Sequence, residues 1–151
     1  PIENAESFNA EYQVRLGDIV VFCDNGFELV KKYKNQLKQY AVTNGTKVAQ
    51  DRKLKNSKLD TLFDGIFISD VLGVEKPNQA FFDFVFEKIG SYEKEEVLIV
   101  GDSLTSDMQG GKNAGILTCW YNPKGFVNNK KIDVNFEIRN LSQIEQILQK
   151  F

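Results

Sequence analysis

Apolar positions follow two alternating rhythms along this chain. Short apolar runs read as strands: Tyr40-Ala41-Val42-Thr43, Gly65-Ile66-Phe67-Ile68-Ser69, Val97-Leu98-Ile99-Val100 and Ile116 to Tyr121. Phe136-Glu137-Ile138 reads as a shorter, last one. Between them the spacing is helical. Residues 47–58 are polar with a helical pattern. Phe81, Phe82, Val85, Phe86 and Ile89 make one stripe, on a helix that Pro77 opens and Gly90 stops. Ile144, Ile147, Leu148 and Phe151 make another, on a terminal helix capped by Ser142 and Glu145. Ser106 and Gln109 read as a capping box for a short helix between two strands.

The first quarter of the chain is less regular. Phe8, Tyr12 and Leu16 lie four apart in a charged stretch, which predicts an amphipathic helix over 3–16 ended by Gly17. Ile19-Val20-Val21-Phe22-Cys23 reads as extended, and Asp24-Asn25-Gly26 as a turn. A lysine-rich helix follows to about Gln36, with Val30, Tyr33 and Leu37 on its apolar side.

Strands alternating with helices predict an α/β fold with a doubly wound, mostly parallel sheet. The unbroken run Val97–Val100 suits a strand covered on both faces. Right-handed crossovers place the C-terminal ends of all strands along one edge, where ligands of such sheets bind.

Composition narrows the chemistry. With 151 residues and 42% hydrophobic positions, the chain can bury a core. Nineteen basic against 21 acidic residues gives no bulk attraction to nucleic acid or to an anionic membrane. There is no histidine, so Ser-His and Cys-His catalysis and histidine-ligated zinc are excluded within this chain. Cys23 and Cys119 are too few for a thiolate zinc site and read as reduced thiols. No apolar run approaches the roughly 20 residues that span a bilayer. The expectation is a cytoplasmic protein.

The loops after the strands carry the candidate chemistry. Thr43, Asn44 and Gly45 follow one strand, Asp70 and then Glu75-Lys76-Pro77 another, and Asp102, Ser103 and Asp107 a third. A hydroxyl, a glycine turn, a lysine and two carboxylates suit a phosphate beside a divalent cation. Backbone N–H groups at a strand–turn–helix junction bind anions. Lysine supplies a compact positive charge, and carboxylates ligate Mg²⁺. Taken singly, each feature is ordinary: a turn, a solvated lysine before a helix, a dipole-favoured acid. Their order across three loops is what points to phosphoryl chemistry.

That order resembles the haloacid dehalogenase superfamily of phosphohydrolases. VTNGT (Val42 to Thr46), GVEKPNQAFFDFVFEKIG (Gly73 to Gly90) and VGDSLTSDMQGGKNAG (Val100 to Gly115) look like its second, third and fourth motifs, and the similarity covers roughly residues 24–150. The resemblance implies a Rossmann-like core and an Mg²⁺-dependent phosphatase acting on a small phosphorylated metabolite, of the capped kind that includes pyrimidine 5′-nucleotidase-like enzymes. Thr43, with the backbone of Asn44 and Gly45, would hold the transferring phosphoryl group. Lys76 would neutralise it, Asp102 would ligate Mg²⁺, and Asp107 would act as a ligand or through the groups around it. Thr43, Lys76 and Asp102 would be the catalytic set.

One part of the pattern is missing. The superfamily's first motif, Asp-x-Asp on a central strand, supplies the nucleophile and general acid/base, and no such pair occurs in the sequence. The resemblance then implies residues 1–16 as the end of a helical cap, 17–26 as a return linker and 27–151 as the core. Without the nucleophile the chain alone would be inactive. A separate fragment, a second chain, or residues 19–23 would fill the strand's place.

Other readings fit less well. Gly101-Asp102-Ser103-Leu104 spells the nucleophile block of one lipase class, which needs a histidine. A phosphoacceptor receiver domain, the main alternative, uses similar residues with the acids first and the threonine and lysine after them, whereas here the threonine comes first and the aspartates last. The glycine patterns of Rossmann dinucleotide and P-loop sites are absent. Lys47, Arg52, Lys53, Lys55 and Lys58 read as a solvated helix face rather than a nucleic-acid surface.

Overall fold

The computed structural model describes residues 5–90 and 92–150. Phe151, expected on the terminal stripe, and the first residues of the 3–16 helix lie outside that range. The chain divides into two compact units. One runs to Phe22 and resumes over Phe27–Gly73; the other takes Cys23–Gly26 and the chain from Val74 onward.

The first unit holds α1 (Ala5–Asp18), α2 (Gly26–Tyr33), β1 (Tyr40–Thr43), α3 (Lys47–Ser57), β2 (Gly65–Ile68) and a single turn, α4 (Ser69–Leu72). β1 and β2 pair in parallel, with Tyr40 opposite Gly65 and Thr43 opposite Ile68. α3 is the crossover between them. Thr46 caps it, accepting from the N–H of Ala49, and Lys58 in a left-handed conformation ends it.

α1 differs from its prediction in one instructive way. Gly17 does not stop the helix but lies buried inside it, against α3. A Cβ at Gly17 would come within 2.7 Å of the Arg52 Cβ and 2.9 Å of the Ala49 carbonyl oxygen. Glycine is there for close approach, and polar bonds complete the contact. Arg52 Nε donates to Asp18 at 2.9 Å, and Thr46 Oγ1 donates to Gln13 at 2.7 Å. Phe8 and Tyr12, the expected buried stripe, remain more than half exposed. Residues 19–23 form no strand, and Ile19, Val21 and Phe22 face solvent.

The second unit holds α5 (Gln79–Ile89), β3 (Leu98–Gly101), α6 (Gln109–Ala114), β4 (Leu117–Tyr121), β5 (Phe136–Ile138) and α7 (Ile144–Leu148). Its strands are parallel in the order β3-β4-β5. Phe81, Phe82 and Val85 of α5 and Ile144 and Ile147 of α7 are buried, as their spacing predicts. Two caps fall elsewhere than expected. Ser103, not Ser106, caps the turn before α6, and Leu104–Met108 forms a π-helical turn. Asn140 and Gln143, not Ser142 and Glu145, make the capping box before α7.

The architecture is therefore α/β with parallel strands and flanking helices, as expected. Among the described residues β1 pairs with β2 alone and β3 with β4 alone. Val100 on β3 is 37% exposed, so the two-sided cover expected for that strand is incomplete. No helix among the described residues is long and apolar enough to cross a membrane.

Candidate active site

In the first unit the expected phosphate loop leaves the end of β1. Thr43, Asn44 and Gly45 are half-buried. Residues just past β2 hold this loop. Ser69 Oγ accepts from the Gly45 N–H at 3.0 Å and donates back to the Gly45 carbonyl at 3.4 Å. Asp70 accepts from the Lys47 N–H at 2.9 Å, so a carboxylate faces the first turn of α3. Among the described residues, the Thr43 hydroxyl makes one long bond, donating to its neighbour's carbonyl at 3.4 Å.

In the second unit Lys76, Asp102 and Asp107 gather around the end of β3. Lys76 Nζ donates to Asp107 Oδ1 at 2.6 Å, and both residues are only 7% exposed. The other Asp107 oxygen accepts from the Ser103 N–H at 3.1 Å. Two local features set this geometry. The π-helical turn carries Asp107 back over the strand end, where the Asp107 N–H also donates to the Ser103 carbonyl at 3.0 Å. Gly101 leaves the necessary room, because a Cβ there would overlap the Asp107 carboxylate.

Asp102 is placed differently. Its side chain is exposed and has no hydrogen-bond or ion-pair partner among the described residues. Its backbone is held, since the Trp120 indole donates to the Asp102 carbonyl at 3.0 Å. Lys76, Asp102 and Asp107 thus come together in one unit, while the threonine loop belongs to the other. Asp102 offers one free carboxylate, and Mg²⁺ commonly takes one or two with water in its remaining positions. That donor set fits the cation. No group of three or more metal-binding side chains occurs among the described residues.

Asp24, in the turn before α2, is at φ 44°. Its carboxylate accepts from the Tyr121 hydroxyl at 2.9 Å and from the Leu141 N–H at 3.2 Å. The hydrogen bond to Asp24 is the main reason the Tyr121 phenol is pushed up to about 12. Both cysteines are free thiols, and burial pushes Cys119 up to about 11, which makes it a poor nucleophile. The sequence did not show the roles of Ser69 or Trp120, which act through tertiary contacts that carry no local signal. Gly101 stands inside the block Val100 to Gly115, but the block does not show why a glycine is needed there.

Comparison with known proteins gives a consistent result. Over residues 2–121 the chain matches the family described as haloacid dehalogenase-like hydrolase. It is 41% identical over 125 residues to HAD-hydrolase YfnB of Bacillus subtilis, covering 83% of this chain and 53% of that protein. It is 39% identical over 111 residues to the pyrimidine 5′-nucleotidase PynA of Streptococcus pneumoniae, covering 74% of this chain and 47% of that one. A crystal structure of YfnB bound to magnesium superposes with a TM-score of 0.79 at 40% identity, over 82% of this chain and 54% of that one. The chain spans about half the length of the curated relatives it matches.

Proposed function

This chain belongs to the haloacid dehalogenase-like hydrolases, and from that premise we propose that it forms part of an Mg²⁺-dependent phosphatase acting on a small phosphomonoester. A nucleoside monophosphate is the first candidate, because a relative of 39% identity is a pyrimidine 5′-nucleotidase. The observation that carries the reading is the buried Lys76–Asp107 pair beside the free carboxylate of Asp102. A structural ion pair explains the first two residues but not an unpartnered acid next to them.

In this reading Asp102 ligates Mg²⁺, and Asp107 holds the Lys76 ammonium in place. The bound cation would offset negative charge on the phosphoryl oxygens. Lys76 adds a second positive charge beside it, and phosphoryl transfer depends mainly on such positioning and neutralisation. In the first unit, Thr43 with the Asn44 and Gly45 backbone is the candidate phosphate-binding loop. The sequence holds no Asp-x-Asp pair, so the nucleophile comes from outside this chain, on a separate segment or second chain that also supplies a strand. That aspartate attacks phosphorus, the alcohol leaves with a proton, and water cleaves the aspartyl phosphate to inorganic phosphate. This chain alone is inactive.

The test is a panel of phosphomonoesters assayed with the full-length protein, with and without EDTA. Turnover of at least one substrate, lost with EDTA, is expected. Asp102→Asn should abolish it, and Lys76→Ala should nearly do so. Wild-type rates in either variant overturn the assignment.

A further inference from the structure

Asp102 combines a free side chain with a tightly held backbone. It is the first residue beyond β3. On one side Gly101 is locked in the β3–β4 ladder opposite Trp120. On the other, Ser103 donates its N–H to Asp107 at 3.1 Å, and its carbonyl accepts from the N–H groups of Asp107 and Met108 at 3.0 Å each. The Asp102 carbonyl itself accepts the Trp120 indole N–H at 3.0 Å, from a ring only 3% exposed. A residue just past a strand end ordinarily keeps freedom about its own peptide. Here that freedom is removed on both sides and at the centre, while the carboxylate stays open.

Building on the reading of Asp102 as a cation ligand, we propose that Trp120 is a positioning residue for the divalent-cation site, fixing the Asp102 peptide through its indole N–H. The competing explanation is that the carbonyl merely satisfies a buried indole donor. The two differ in what they predict. A satisfied donor contributes stability only. A positioning bond also sets how well the carboxylate meets the cation, and groups that orient metal ligands typically change metal affinity by about 10–100-fold when lost.

The sequence contains one tryptophan, so the ¹H–¹⁵N spectrum of this chain has a single indole signal. The chain is titrated with Mg²⁺ to follow that signal, and with Mn²⁺, whose paramagnetism broadens amide signals near its site even when binding is weak. Trp120→Phe removes the donor and keeps most of the ring. Asp102→Asn tests the ligand. Thr118→Val is the stability control. Thr118 lies on the same strand, is 2% exposed, and exchanges hydrogen bonds with Asn135 at 3.0 Å, none of which involves the indole or the Asp102 carbonyl.

Mn²⁺ should broaden the amides of residues 101–103 in the wild type and in Thr118→Val with equal affinity. It should do so about tenfold more weakly in Trp120→Phe, and not at all in Asp102→Asn. Mg²⁺ should move the wild-type indole signal with the same midpoint as the amides. Wild-type affinity in Trp120→Phe overturns the positioning role and leaves Asp102 as ligand. An indole signal that stays still while the Asp102 amide responds does the same, and needs no variant to fold. Broadening that persists in Asp102→Asn, or none in the wild type, overturns both.

Discussion

Lys76 Nζ lies 2.6 Å from Asp107 Oδ1, with the two side chains 6% and 10% exposed. Removing two charges from water costs several kcal/mol each, and only good geometry with further hydrogen bonds offsets that. The Ser103 N–H on the second carboxylate oxygen is such a bond. Breaking one partner of a pair like this typically costs about 3–5 kcal/mol, because the other charge is left buried and unpaired. Lys76→Met and Asp107→Leu should each lose that much in urea unfolding. The double variant should cost much less than the sum of the two. Additive losses in this double-mutant cycle would show that the two groups are not coupled.

Gly101 bears on the same pair from the backbone side. A Cβ there would overlap the Asp107 carboxylate, so Gly101→Ala must displace it. Overpacking of this kind costs roughly 1–3 kcal/mol. The clash is with one side chain, its Cβ included, so the penalty should shrink when Asp107 is first replaced by Gly. Denaturation midpoints of the two single variants and the double decide this. An equal Gly101→Ala penalty in both backgrounds would place the strain elsewhere.

What the sequence revealed follows from how local each cause is. β1, β2, α5, β3, β4 and β5 come from short apolar runs or stripes, and α3 from the polar helical stretch between two such runs, all of them local signals. Caps were less legible, because Ser103 and Asn140 are as capable as the nearby Ser106 and Ser142, and only the built turn selects between them. Ile19–Cys23 has the composition of a strand, yet a strand exists only with a partner to pair with. Gly17 reads as a stop because close packing on α3 leaves no mark in the sequence. At the site, strand order was enough to bring Lys76, Asp102 and Asp107 to one edge. It did not show that two of them bond to each other, or that Trp120 holds the third.

The turn at Asp24 predicts a pH dependence. The Tyr121 hydroxyl donates to Asp24 at 2.9 Å, and the phenol is pushed up to about 12, first by that bond and then by burial and the charges of Asp24, Cys23 and Asp102. The ordinary value is 10.0. A phenol raised on folding keeps its proton in the folded chain where the unfolded chain has lost it. Its contribution to stability is therefore complete below pH 10 and declines as pH rises from 10 toward 12. In an ultraviolet titration of the five tyrosines, one should ionise in a separate step near pH 12. Asp24→Gly isolates the cause, since glycine accepts φ 44° without strain and removes only the carboxylate. That variant should bring the late step down toward 10 and reduce the alkaline loss of stability tied to it. A late step unchanged in Asp24→Gly would show that the carboxylate is not what holds the Tyr121 proton.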